Sequence, residues 1–291
     1  MEFALLILIA GLMKGAIYGV IAMGFVIIYK CSGVLNLAHG AMVLLGGYIG
    51  WSMAFQVGLP PWLAIVVAFG LAAVVGLLIE RFAMRPLLGE SVLVLIMATI
   101  ALDQILYGGT VTIWGGMDRD YIKILPTGTA LKLGAFSIST EHLFAAMVAV
   151  FLVLGFALFF RYSRWGLAMR GVAEGHQISR SMGISVKSIL ALSWALAAVL
   201  GSIGGVLYGS ISGFRTGLTH IGLMSIPAAF IGGLDSVPGA ILGGIVVGIV
   251  ESATTGYIGH ATGQPMAYFV LVLMMFWKPY GFFGRVRIER V

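Results

Sequence analysis

The chain has 291 residues, of which 60% are hydrophobic and only 10% charged, and its mean hydropathy is +1.07. Soluble domains carry roughly 45–50% apolar residues, so composition excludes a soluble fold and implies a polytopic membrane protein with lipid as its solvent. The formal charge of +6 and pI near 9.5 do not signal nucleic acid, because the basic residues sit in short loops between apolar stretches rather than on one face.

The opening segment MEFALLILIAGLMKG begins with an acid and lacks a basic n-region, so it reads as the start of a retained span and not as a cleaved leader. A helical crossing takes about 20 apolar residues. On that criterion spans are expected at 4 to 29, 33 to 55, 61 to 80, 91 to 113, 141 to 160 and 188 to 212. Beyond 220 the pattern shortens: Ile221 to Leu234 is too brief to cross comfortably, 241 to 259 follows the Asp235-Ser-Val-Pro-Gly break, and Met266 to Phe283 closes the chain. The expected fold is an all-α transmembrane bundle in a single domain, 1 to 291. It has eight spans if the short piece is re-entrant and nine if it passes through as a broken helix. A long external loop is expected at 114 to 140.

Charge supplies an orientation. Lys30, 81 to 90, 161 to 187 and the tail from Lys278 hold twelve of the 17 Lys/Arg, against Arg119, Lys123, Lys132 and Arg215 in the other loops. The positive-inside rule then places the N-terminus outside and the tail in the cytoplasm. That polarity needs an odd number of crossings, which favours nine. The stretch Arg161 to Lys187, RYSRWGLAMRGVAEGHQISRSMGISVK, is a polar island on the cytoplasmic side. Val172 to Met182 is expected to form one short surface helix, with a turn at Gly183.

The 42 glycines recur at helical spacing: Gly11, Gly15 and Gly19; Gly46 and Gly50; Gly201, Gly205 and Gly209; Gly239 and Gly243. Small residues four apart let membrane helices approach closely. GAIYGVI at 15 to 21 resembles GSIGGVL at 201 to 207, and opposite orientations of the two would make an inverted-topology repeat. The lone Cys31 excludes an intrachain disulfide and reads as a packing residue, and the dispersed histidines 39, 142, 176, 220 and 260 offer no local metal motif. No phosphate loop, zinc helix or nucleophile elbow occurs, so no enzymatic activity is expected and ATP hydrolysis would have to come from elsewhere.

Ionisable groups inside spans are costly and mark structure or pathway. Lys14 can snorkel to the interface. Asp103 and Gln104, in TIALDQILYGG, sit mid-span, where they either bond neighbouring helices or line a path, and Glu251 reads the same way. Asn36 and His39 open the second span close to the cytoplasmic side; they either cap it or, for a neutral His39, bond across to another helix.

Gly15 to Tyr48, GAIYGVIAMGFVIIYKCSGVLNLAHGAMVLLGGY, resembles the opening of LivH-type membrane subunits of branched-chain amino acid ABC importers. The likeness continues in ATIALDQILYGG, RWGLAMRGVAEGHQISRSMGISV and FIGGLDSVPGAILGGIVVGIVE, covering nearly the whole chain. It departs at Gly171 and near Ser179 and Arg180, where alanine is usual, and at Ala41 and Met42, where an acid is more usual. The resemblance implies that this chain binds no cofactor. ATP and Mg belong to two separate ATPase subunits docking on the 161 to 187 loop, with Arg170, Glu174, His176 and Arg180 facing water and Gly183 at the turn. A second homologous permease and a periplasmic substrate-binding protein complete the implied assembly. Asn36, His39, Asp103, Gln104 and Glu251 are the pathway candidates. Urea or short-chain amides are the alternative cargo within this class. The rival class is an ion-coupled secondary transporter using Asp103 and Glu251.

Overall fold

A computed structural model describes residues 2–116, 118–119, 129–133 and 136–284, with side chains of 129–139 left out. Among the described residues six helices are long and apolar enough to cross a membrane. In chain order the described helices are α1 (Glu2–Ser32), α2 (His39–Phe55), α3 (Pro61–Leu78), α4 (Val92–Trp114), α5 (Thr140–Tyr162), α6 (Arg164–Glu174), α7 (His176–Ser181), α8 (Val186–Ser212), α9 (Leu218–Leu223), α10 (Ser225–Gly232), α11 (Val237–Tyr257) and α12 (Gly263–Trp277). A π-helical turn, Ile79–Met84, extends α3. The bundle is all-α as expected, and the loop between α4 and α5 adds a hairpin of two short antiparallel strands, β1 (Thr129–Leu133) and β2 (Phe136–Ser139). The remainder of the expected loop at 117, 120–128 and 134–135 lies outside the described residues.

Most helices are apolar around their whole circumference, so hydrophobic periodicity cannot choose their contact faces. Glycine chooses them. A Cβ on Gly15 would lie 2.6 Å from Ile245 Cα, and one on Gly11 2.7 Å from Ile249 Cα, so α1 and α11 touch backbone to backbone. The order of these contacts, 11 with 249 and 15 with 245, makes the two helices antiparallel. On the opposite side of the bundle Gly46 meets Ser202 and Gly47 meets Gly205, with α2 parallel to α8. Lipid tails give no hydrophobic drive between helices, so this close van der Waals contact is what assembles the bundle. Helix α8 sits at its centre, with 78% of its most apolar stretch buried, whereas α4 buries 6%.

The second span begins later than expected. Ser32 ends α1, Gly33 turns at φ 71°, and residues 33 to 38 run back into the bundle without helix before α2 starts at His39. His39 lies beside Ile21, eleven residues from the end of α1, or roughly 16 Å at 1.5 Å per residue. It is therefore near mid-bundle, not near the cytoplasmic surface. The short piece after 220 is a broken crossing. Leu218 lies level with Gly47, Gly222 packs on Gly40, and Gly232 packs on Gly239 at the start of α11. With α9 and α10 counted as one broken element, nine helical elements build the bundle among the described residues. The two look-alike glycine segments lie in α1 and α8. There Ile21 meets Gly204 and Gly24 meets Ala197, so those helices are antiparallel, as an inverted repeat demands.

The final segment is also shorter than expected. Helix α12 ends at Trp277, and Phe282 and Phe283 donate their amides to Ile231 O and Gly232 O at 2.9 and 3.1 Å, fastening the chain end to α10.

Candidate functional site: a helical platform and a mid-bundle polar seam

The polar island 161 to 187 folds as two helices, α6 and α7, where one was expected; Gly175 separates them. Ser163 begins α6 by accepting the Gly166 amide at 2.9 Å, and Gly166 rests against the Phe160 backbone where a side chain has no room. Two of the residues expected to face water instead anchor the platform. Arg170 is half-buried and donates to the carbonyls of Phe160 and, at 3.2 Å, Arg161, satisfying the orphan end of α5, while its guanidinium lies over the Phe160 ring. His176 Nε2 donates to Cys31 O at 3.0 Å, tying α7 to the end of α1. Cys31 itself is buried, as a packing residue would be.

Glu174 and Arg180 are exposed, as expected. The apolar residues at helical spacing do not share one buried face. Met169 and Val172 are buried, whereas Ile178 and Met182 are 62% and 75% exposed. The platform thus turns apolar knobs and charges outward together, and Gly183, at φ 80°, makes the turn that returns the chain to α8.

Asn36, His39, Asp103 and Gln104 converge around the first turn of α2. The capping reading fails: the N-cap position is Ala38, and no side chain caps the helix. His39 is fully enclosed and bonds across to α1, donating from Nε2 to Ile21 O at 2.9 Å, which leaves Nδ1 as an acceptor without a partner. Space for its ring comes from Gly24 and Gly201, where a Cβ would lie 2.8 and 3.6 Å from Cε1. Asn36 is fully buried, donates weakly to Met42 Sδ at 3.4 Å, and has no partner for Oδ1. Thr99 of α4 holds the non-helical entry in place: its Oγ1 accepts from Leu37 N at 3.3 Å and donates to Leu35 O at 3.2 Å.

Asp103 sits beside the Ala41 amide, where a carboxylate complements the positive end of α2, but its Oδ1 makes no hydrogen bond of ordinary geometry. Gln104 donates to Asp103 Oδ2 at 3.2 Å on the outer surface of the bundle. Facing the neighbouring position of α2 is Thr219 of α9, which sequence reasoning passed over: it packs on Gly40 with its hydroxyl unpartnered, and the next residue, His220, is exposed. The available signal was a hydroxyl and an imidazole inside a crossing too short to tolerate them unless the helix was broken there.

Glu251 stands apart. It pairs with Lys14 at 3.2 Å and accepts the Tyr18 hydroxyl at 2.5 Å, closing an ion-and-hydroxyl clamp between α1 and α11. Lys14 therefore does not snorkel alone to the interface; a carboxylate within reach satisfies it in place. Among the described residues no three His, Cys, Asp or Glu side chains gather into a metal-binding set.

The geometry is that of a glycine-packed helical bundle with a surface platform. Its sequence matches the family model described as branched-chain amino acid transport system / permease component over residues 7–277. It is 29% identical to the high-affinity branched-chain amino acid transport system permease protein BraD of Pseudomonas aeruginosa, covering 98% of this chain and 97% of that one. It is 28% identical to the corresponding LivH of Escherichia coli, over 97% and 96%, and 27% identical to a probable LivH of Methanocaldococcus jannaschii, over 91% and 87%. The chain belongs to the family of permease components of branched-chain amino acid transport systems.

Proposed function

We propose that this chain is the membrane-spanning permease subunit of an ATP-driven importer for branched-chain or related amino acids, with its N-terminus outside and its tail in the cytoplasm. The α6–α7 platform carries the reading. Its inner residues, Arg170 and His176, bind it to the ends of α5 and α1, and its outer residues, Glu174, Ile178, Arg180 and Met182, present mixed apolar and charged contacts to water. A partner that pushes on such a surface moves helices, not a loose loop. Two ATPase subunits supply that push and carry ATP and Mg. A binding protein delivers substrate from outside, and a companion permease completes the path.

The mid-bundle seam supplies the translocation residues. Asn36 and His39 set the depth at which α2 begins, and Asp103, Gln104, Thr219 and His220 offer polar atoms where hydrocarbon would leave them unsatisfied. Closure of the ATPases rocks the platform and alternately opens this seam to either side. Glu251, locked by Lys14 and Tyr18, belongs to the rigid frame.

The test is reconstitution. Proteoliposomes holding the chain with its ATPases, companion permease and binding protein take up radiolabelled leucine only with ATP, and the chain alone takes up none under a proton or sodium gradient. Uptake by the chain alone would overturn the proposal in favour of an ion-coupled carrier. ATP-dependent uptake of urea or acetamide without leucine would overturn the substrate class.

A further inference from the structure

We propose that the outer face of α4, centred on Gln104, Gly108 and Thr112, is the seat of a transmembrane helix from the companion permease subunit. This rests on the importer reading above and adds to it the place where the two permeases meet.

The first observation is how little of α4 its own chain covers. Only Thr99 and Thr110 are buried among its 23 residues, and α4 packs almost wholly on α2. The second is its polarity. Gln104 is exposed on the outer surface, at the depth of the first turn of α2, and its amide donates to Asp103 Oδ2, while the other Asp103 oxygen is buried beside the Ala41 amide. Lipid tails cannot satisfy such groups. Other outward faces contrast with it: Met147, Val150, Phe151, Leu154 and Leu158 of α5 are all exposed and all apolar.

The third observation is an unfilled small-residue groove. Elsewhere in this bundle glycines at four-residue spacing are met by another backbone, as at Gly11 and Gly15. Gly108 and Gly109 have nothing within 4 Å of an added Cβ, and exposed Thr112 folds its hydroxyl back to Gly108 O at 2.8 Å. A groove flanked by an amide and a hydroxyl is the shape that accepts a membrane helix. The ATPases and the binding protein cannot reach this depth.

Charge selects a companion over a second copy. A self-pairing about a twofold axis along this face brings two Asp103 carboxylates to one seam in a low-dielectric medium. A homologous, non-identical helix can instead offer hydroxyl, amide or basic donors to Asp103 and Gln104.

The experiment uses the assembled importer in membranes. A diazirine-bearing residue is placed at Thr112 or Ile105 on the α4 face, and at Leu154 on α5 as control. The expected result is a covalent adduct from positions 112 and 105, identified by mass spectrometry as the companion permease, and lipid adducts from 154. Gly108→Leu is expected to lower the companion that co-purifies by on the order of tenfold, with the thermal stability of the isolated chain unchanged because nothing within the chain contacts that site. Adducts to a second copy of this chain would overturn the choice of partner. Lipid adducts alone, or Thr112→Cys labelling by a water-soluble maleimide with no protein adduct, would overturn the seat, as would normal co-purification of Gly108→Leu. ATP-dependent leucine uptake is followed in parallel: missing adducts with uptake intact reject the seat alone, and loss of uptake in the unmodified complex rejects the importer reading.

Discussion

The contact between α1 and α11 and the contact of α2 with α4 and α9 use the same materials, spaced glycines and a few polar side chains, to opposite ends. In the first, backbones meet at Gly11, Gly15, Gly244 and Gly248, and the one carboxylate, Glu251, has both an ammonium and a hydroxyl. In the second, Gly40 and Gly222 bring α2 and α9 together, yet Asn36 Oδ1, His39 Nδ1, Asp103 Oδ1 and Thr219 Oγ1 are left without partners. Buried polar groups ordinarily find partners, so four exceptions gathered around the entry to one helix mark a place kept ready for something that comes and goes. The closed contact reads as frame, and the open one is where the proposed translocation path runs.

The largest effect should come from filling the closed contact. A leucine at Gly15 or Gly244 has no flexible neighbour to displace, since helix backbone lies within 2.6 Å of the added Cβ at Gly15. Overpacking of this kind costs about 3 kcal/mol or more, and membrane-inserted, protease-resistant protein should fall to background. Gly155→Leu, at an open position on α5, should stay within about 0.5 kcal/mol of the parent. Equal yields from the two substitutions would erase the distinction between frame and surface.

Next in size is the clamp. Glu251→Ala leaves the Lys14 ammonium and Tyr18 hydroxyl without their carboxylate, at a cost of about 3 kcal/mol. The double replacement Lys14→Met with Glu251→Leu should recover most of it, read as the midpoint of thermal unfolding in detergent. If Glu251→Ala kept full stability but abolished transport, Glu251 would belong to the pathway and the division between the two contacts would move.

How much of this could be read beforehand depends on which physical rule governed each residue. Length and apolar content gave most of the long helices, and glycine spacing marked faces of α1, α2, α8 and α11 fit for close approach, because both rules are local; which helix meets which came only from the structure. Partners far apart in sequence were not legible: nothing near Lys14 announces Glu251 as the group that satisfies it, and nothing near Arg170 announces the end of α5 as its target. Asn36 and His39 looked like caps because helices usually start beside such residues. The structure instead starts α2 deeper, where Thr99 of another helix holds the unwound entry. His220 was counted only as one dispersed histidine, since its exposure on α9 is a tertiary feature.

The platform separates holding from docking at an intermediate size. Arg170→Ala removes the donors at the end of α5 and should cost about 1–2 kcal/mol. Arg180→Glu, at an exposed residue, should leave unfolding unchanged. Both should reduce binding-protein-stimulated ATP hydrolysis in the assembled importer, Arg170→Ala through a loosened platform and Arg180→Glu through a weakened contact. Normal stimulation in Arg180→Glu would remove α7 from the docking surface and leave α6 as the contact.

The smallest structural effect and the most informative one is at the open contact. Asp103→Asn keeps the shape beside the Ala41 amide and the chance of a bond with Gln104, while removing a charge that no ordinary partner balances. If Asp103 were part of the frame, losing its complement to the positive end of α2 should destabilise the chain by about 0.5–1 kcal/mol. If it serves substrate passage, unfolding should shift little, because desolvation of that charge offsets the gain from the helix end. Leucine uptake should then fall while ATP hydrolysis continues, a split between transport and energy use that no purely architectural residue produces. Gln104→Leu should behave alike with a smaller loss, since its amide reaches the seam through Asp103. Loss of stability and uptake in equal proportion at both positions would return Asp103 and Gln104 to the frame and leave Thr219 and His220 as the polar lining that remains.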